Sequence, residues 1–230
     1  SSADEQRIEQ VLSDCGLAPL ADRPLAATSG GERQKTLLAA AIALMHVWFA
    51  ANILWWRDHP VGETAFMAYR LDELREKNPK AQLRYAWVPY AKISANLKRA
   101  MVAAEDARFV EHEGFDWDGI QLAMEKNQKK GRVVAGGSTI TQQLAKNLFL
   151  SPVRSYWRKA EEAVITVMLE AMLPKERILE IYLNVIEWGN GIFGAEAAAR
   201  HYFGVTAAQL SAEQAARLAA MAPNPRFYER

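Results

Sequence analysis

Cysteine is almost missing from this chain. Cys15 stands alone among 230 residues, which excludes an internal disulfide framework and a cysteine-rich zinc site. Histidine is scarce too, with four scattered residues and no H-E-x-x-H pair, so nothing points to zinc catalysis. Glycine and proline, at 13 and 9, fall below average usage and exclude a collagen-like, linker-like or low-complexity chain. An excess of one charge is lacking as well. The 28 basic and 27 acidic residues nearly cancel, so bulk attraction to nucleic acid does not follow and no nucleic-acid partner is expected. What remains is half apolar and a quarter charged, enough to bury a core in one ordinary domain with accessories.

The charges are not spread evenly. From Leu37 to Trp56 the chain reads LLAAAIALMHVWFAANILWW, twenty residues without a formal charge. As a helix at ~1.5 Å per residue this run is ~30 Å long, the thickness of a bilayer's hydrocarbon core. Trp55 and Trp56 before Arg57 suit an interfacial aromatic belt, while Arg33 and Lys35 flank the other end. His46 and Asn52 need partners inside it. The run ends in bulky tryptophan without a small-residue cleavage site, so an uncleaved anchor is expected. The division is then residues 1–36 as an N-terminal segment of unknown role, 37–56 as a transmembrane helix and 57–230 as the large domain.

The N-terminal segment holds six acids and four bases, the large domain 21 acids and 24 bases. Between Gln121 and Lys159 eight basic residues face one acid, Glu125. That concentration suggests a phosphate-bearing partner, although Lys129 and Lys130 are better read as a solvated face. After the anchor the periodicity is helical: Ile93–Ala107, Trp117–Lys126, Ser138–Phe149, Ser155–Leu173, Pro174 to about Trp188, Ala195–Phe203 and Ala212–Met221. Only Leu83–Pro89 looks strand-like. The expected class is all-α.

Three stretches carry chemistry. In the first, Glu105 and Asp106 end an apolar helix and are followed by Phe109, His112 and Gly114. A carboxylate desolvated by Phe109 and Phe115 is suited to work as a general base or acid. His112 reads as a structural histidine. The second, Gly136 to Asn147, is GGSTITQQLAKN. Its glycines allow close backbone approach, and the following helix start offers free N–H groups to an anion. Ser138 or Thr139 can cap that helix, but capping does not explain all of Ser138, Thr139, Thr141, Gln142 and Gln143. No Walker A spacing is present. The third is RSYWRKAEE, in which Arg154, Arg158 and Glu162 share one helix face, either as a salt-bridge ladder or as a site.

In order and spacing, EDARFVEHEGFDW, GGSTITQQLAKNLFL, RSYWRKAEE, ILEIYLNVIEWGNGIFGAEAAARHYFG and LAAMAPNPRFY resemble the five motifs of the peptidoglycan glycosyltransferases, glycosyltransferase family 51. The resemblance spans roughly Tyr85 to Tyr228 and is closest to the monofunctional, single-pass form without a penicillin-binding domain. It implies a lysozyme-like helical fold with an apolar portion, about Leu144 to Tyr156, dipping into the bilayer. It implies that lipid II is polymerised with inversion at the donor anomeric carbon, releasing undecaprenyl pyrophosphate. Glu105 would be the base for the acceptor 4-hydroxyl, and Glu162 the second carboxylate near the leaving group. Lys146, Arg154, Arg158 and Lys159 would hold the pyrophosphate. Ser138, Thr139, Gln142 and Gln143 would line the cleft, with Asp106, Phe109 and His112 in support. Implied partners are lipid II, the growing glycan strand, the bilayer and other cell-wall synthesis or division proteins. The implied location is the bacterial inner membrane, with the catalytic domain on its outer, periplasmic face. The sequence requires no cofactor; a divalent metal, Mg²⁺ or Mn²⁺, on the pyrophosphate is left open.

Residues 1–45 depart from this pattern. LADRPLAATSGGERQKTLLAAAIAL resembles the signature region of ABC-transporter ATPases around Ser29 to Gln34, but no Walker A or B element precedes it, so ATP hydrolysis does not follow. Besides polymerisation, two other readings stand: a lysozyme-like peptidoglycan-cleaving enzyme, and a nucleotide-binding or membrane-interaction module resting on residues 1–45.

Overall fold

The computed structural model describes residues 10, 13, 30–132, 136–153 and 155–228. The chain divides into two compact units, residues 1–51 and 52–230.

Helix α1 covers Gly30–Trp55, so the expected apolar helix starts about two turns early and takes Gly30 to Gln34 of the ATPase-like stretch into its first turns. Its segment Arg33–Trp55 has mean hydropathy 2.0 and is long and apolar enough to cross a membrane; 11% of that window is buried, whereas a core helix would be mostly buried. Leu37, Leu44, Val47 and Trp48 are exposed along it. The polar ring of His46 is satisfied within the helix, where Nδ1 donates to the Ile42 carbonyl at 2.8 Å.

The larger unit is helical. Its elements are α2 (Ala65–Lys77), α3 (Ala95–Glu105), α4 (Trp117–Lys130), α5 (Ile140–Phe149), α6 (Tyr156–Met172), α7 (Lys175–Val185), α8 (Ala195–Phe203) and α9 (Ala212–Met221). Local sequence starts most of them. Thr64, Ser94, Asp116 and Ser155 each accept a first-turn N–H, while Thr139 with Gln142 and Ser211 with Gln214 form reciprocal capping boxes. The α2 helix was not anticipated, because its apolar residues bunch toward its start and charges fill the rest.

Two expectations are corrected. The helix expected to reach Trp188 stops at Val185, and Glu187–Gly189 (β2) instead turns through Asn190 and Gly191 into Ile192–Phe193 (β3). Gly191 takes φ +74°, a left-handed value suited to glycine, so the Asn-Gly turn outweighs helical periodicity here. The strand expected over Leu83–Pro89 shrinks to Arg84–Tyr85 (β1), parallel to β3 in a sheet ordered β1-β3-β2. Beyond it the chain stays extended without a strand partner. The Asn184 side chain takes that place, accepting from Val88 N and donating to Val88 O, both at 2.9 Å.

The core is organised around α5, which packs on α2, α6 and α7, while α9 packs on α3. Ile140, Leu144 and Ala145 of α5, Ile165 and Leu169 of α6, and Ile178 and Ile181 of α7 are fully buried. On α5 only Gln143, Lys146 and Phe149 escape burial, one stripe at a three-residue spacing. Two of those three are polar, so α5 is a core helix with a single functional edge.

Candidate active site

Glu105 is the last residue of α3, and the loop after it is sewn onto the start of α5. Asp106 Oδ2 accepts the Ile140 N–H at 3.0 Å, one of the N–H groups that a helix start leaves unpaired. Its Oδ1 lies 2.9 Å from His112 Nε2. Gly114 N–H donates to His112 Nδ1 at 3.2 Å, which assigns the proton to Nε2 and makes His112 a neutral donor to Asp106. Thr139 Oγ1 closes the loop by donating to the Gly114 carbonyl at 2.7 Å. Gly114 is required there: its φ is +89°, and a Cβ would come within 2.6 Å of Thr166 Cγ2.

This clamp leaves Glu105 half-buried beside α5, where Gln143 Nε2 donates to Glu105 Oε2 at 2.7 Å. Gln143 Oε1 in turn accepts from the Tyr182 hydroxyl at 3.1 Å. Glu105, Asp106, Asp116, Gly137, Ser138 and Thr139 border a cavity of about 190 Å³. On the other side of the Glu105–Gln143 bond, Gln143, Lys146, Asn147, Tyr182, Glu187 and Arg226 border a second cavity of about 200 Å³.

The basic residues gather around the second carboxylate. Glu162 is buried on α6; Arg158 donates to its Oε2 at 2.9 Å, and Lys159 pairs with its Oε1. Lys146 links this cluster electrostatically to Glu105. Burial pushes its ammonium below the ordinary 10.5, Glu162 pulls it back, Arg158 and Lys159 lower it further, and Glu105 raises it. Two cations thus pair with one carboxylate and a third stands in its field, so positive charge gathers between Glu162 and Glu105.

The residues singled out in the sequence fall into distinct places. Glu105, Gln143 and Lys146 lie on the cleft, and Ser138 is exposed at its rim. Thr139 and Gln142 are buried and form the capping box, and Thr139 also holds the Gly114 carbonyl, so their contribution is to fix the start of α5. Phe109 is buried under the Lys175 ammonium, 4.6 Å from the ring centroid. It borders a larger, mostly apolar cavity of about 490 Å³ that contains neither Glu105 nor Glu162, so size is the poorer guide to the chemistry. Arg154 lies outside the described residues. Sequence reasoning missed Tyr182, Asn147 and the Arg70–Glu187 pair. Arg70 Nε donates to Glu187 Oε1 at 2.9 Å, and burial raises the Glu187 carboxyl while Arg70 opposes it. Only the i, i+4 relation of Gln143 to Asn147 was available in sequence to add Asn147.

Among the described residues no three side chains of His, Cys, Asp or Glu converge as a metal site. Both oxygens of Asp106 and both of Glu162 are already taken by protein donors. Neither of these two carboxylates therefore offers an open oxygen as a ligand.

A helical domain with two carboxylates and a cation cluster beside one of them is an arrangement suited to group transfer on an anionic substrate. Residues 71–230 match the family model described as transglycosylase. The chain is 66% identical over 198 residues to the biosynthetic peptidoglycan transglycosylase of Azoarcus sp. (strain BH72), covering 85% of this chain and 86% of that protein. It is 66% identical over 204 residues to the protein so described in Dechloromonas aromatica (strain RCB), covering 87% and 88%. The counterpart in Chromobacterium violaceum is 64% identical over 192 residues, covering 84% of each. The chain belongs to the transglycosylase family and is a glycosyltransferase.

Proposed function

We propose that this enzyme builds peptidoglycan glycan strands from lipid II, with inversion at the donor anomeric carbon and release of undecaprenyl pyrophosphate. The observation that carries the reading is the charge arrangement: Arg158 and Lys159 pair with Glu162, and Lys146 stands between that cluster and Glu105, in the field of both. A sugar hydroxyl is a poor nucleophile and needs a base; Glu105 takes the proton of the acceptor 4-hydroxyl as its oxygen bonds to the donor anomeric carbon. The bond from that carbon to the pyrophosphate breaks, and negative charge collects on the departing phosphates. Lys146, Arg158 and Lys159, with Arg154 between Lys146 and Arg158 in sequence, receive that charge through charge-assisted hydrogen bonds. Glu162 orients Arg158 and Lys159 without cancelling them. A hydrolase would use the carboxylates but has no work for three converging cations.

The undecaprenyl chain remains in the bilayer, and α1 tethers the enzyme to the same surface. Residues 30–55 then form a single-pass anchor in the inner membrane, with the catalytic domain on the outer, periplasmic face. The test is incubation of the detergent-solubilised enzyme with fluorescent lipid II. The parent makes polymer, and Glu105→Gln loses at least ~100-fold in rate with its thermal unfolding unchanged. Unaltered glycan synthesis by Glu105→Gln, or release of fragments from finished peptidoglycan without polymer from lipid II, overturns the reading.

A further inference from the structure

We propose that Tyr182 is a positioning residue for Glu105, acting through the side-chain amide of Gln143. The inference rests on the assignment of Glu105 as the base. Among the described residues Gln143 provides the one hydrogen bond to the Glu105 carboxylate, at 2.7 Å. An amide side chain is pseudo-symmetric: turned one way it offers NH₂ to Glu105, turned the other way it offers a carbonyl oxygen, which repels a carboxylate. The α5 backbone does not choose between these, because Gln143 lies on the partly open edge of that helix. Tyr182 does. Its hydroxyl donates to Gln143 Oε1 at 3.1 Å, which fixes the carbonyl on its own side and turns the NH₂ toward Glu105.

The hydroxyl can serve as a reference point because it cannot move and does not ionise. Tyr182 is 1% exposed on a helix whose residues Ile178 to Val185 are all buried. Burial, with further contributions from Glu105 and Asp106, holds the phenol well above its ordinary value of 10, so it stays a donor at every working pH. Gln143 is its hydrogen-bond partner among the described residues, and the same cavity wall carries Gln143, Lys146 and Tyr182. Packing alone would be served by phenylalanine. The hydroxyl's contribution is the orientation of one amide, and through it of one carboxylate oxygen.

The experiment is a double-mutant cycle on the full-length enzyme with fluorescent lipid II, using Tyr182→Phe, Gln143→Ala and their combination. Tyr182→Phe lowers kcat roughly 10-fold to 100-fold, the scale of a small misplacement of a reacting group, with KM unchanged. In the Gln143→Ala background the same change has no further effect, because the element it acts through is gone. Equal losses in both backgrounds, no loss in either, or a collapse of the thermal midpoint in Tyr182→Phe overturns the proposal. A readout independent of turnover is the side-chain ¹⁵N amide resonance of Gln143, assigned by its absence in Gln143→Ala. It shifts or doubles in Tyr182→Phe as the amide begins to turn, and an unchanged resonance refutes the coupling. Glu105→Gln in the same assay separates the two claims: if it polymerises normally the base assignment has failed, and if it is inactive while the cycle is additive only the Tyr182 relay has.

Discussion

The clamp between Asp106, His112 and the start of α5 makes a quantitative demand on stability. Asp106→Asn keeps side-chain volume, so no cavity contribution enters, but it replaces an oxygen with an NH₂ group. The Asp106 side chain is 2% exposed and accepts from two donors, Ile140 N–H at 3.0 Å and His112 Nε2 at 2.9 Å. The carboxamide satisfies one of them and points a donor at the other. Exchanging the His112 tautomer gives no relief, since Nδ1 already accepts from Gly114 N–H. A hydrogen bond to a charged group contributes about 1.5–3 kcal/mol. Removing a negative charge from a helix N-terminus costs up to about 1 kcal/mol in addition. Together the loss is roughly 2–4 kcal/mol, and at about 2–4 °C per kcal/mol for a domain of this size the midpoint falls by roughly 4–16 °C. Near-UV circular dichroism in detergent micelles at a fixed scan rate measures this without interference from α1, whose helicity persists in the micelle. In a His112→Ala background the same substitution should cost less, because the amide NH₂ then faces an emptied position. A midpoint within about 1 °C of the parent in the wild-type background refutes the clamp.

Two further outcomes follow from the site. Partial desolvation of the half-buried Lys146 ammonium lowers its pKa below the ordinary lysine value, so lipid II binding should weaken as pH rises before 10.5 is reached; Lys146→Arg, which stays charged, should bind equally well across that range, and coincident profiles refute the pyrophosphate role. Gly114→Ala places a Cβ 2.6 Å from Thr166 Cγ2 at φ +89°, which should destabilise the domain by roughly 2–5 kcal/mol in chemical denaturation, whereas a change under ~0.5 kcal/mol removes the steric argument.

Much of the helical framework was legible because it is local. Thr139 and Gln142 at a three-residue spacing mark the start of α5, and Ser211 and Gln214 mark α9, through hydrogen bonds that close within one turn. The charge-free run was legible because twenty residues without a formal charge stand out by composition alone. The turn at Asn190 and Gly191 was readable in principle, yet the helical periodicity of the residues before it was the louder signal. The α2 helix was not readable. Its buried Arg70 makes sense only against Glu187, 117 positions away, with Glu73 and Asn190 completing the set.

The site divides along the same line. GGSTITQQLAKN announces itself by having more polar side chains than capping needs, and RSYWRKAEE by placing Arg158 one turn from Glu162. Which polar residues cap and which face the cleft depends on the direction in which α5 is buried. Packing against α2, α6 and α7 turned Gln142 inward to the cap and left Gln143 and Lys146 on the open edge.

By itself the sequence determined the long apolar helix, the helical class, the caps and the residue types of the candidate site, since each depends on neighbours within a few positions. Tertiary structure alone decided that Glu105 meets Gln143, that Tyr182 on α7 orients that amide, and that Lys146 stands in the fields of both Glu105 and Glu162. Those relations join helices that are distant in the chain, and only the burial of α5 among its neighbours brings them together.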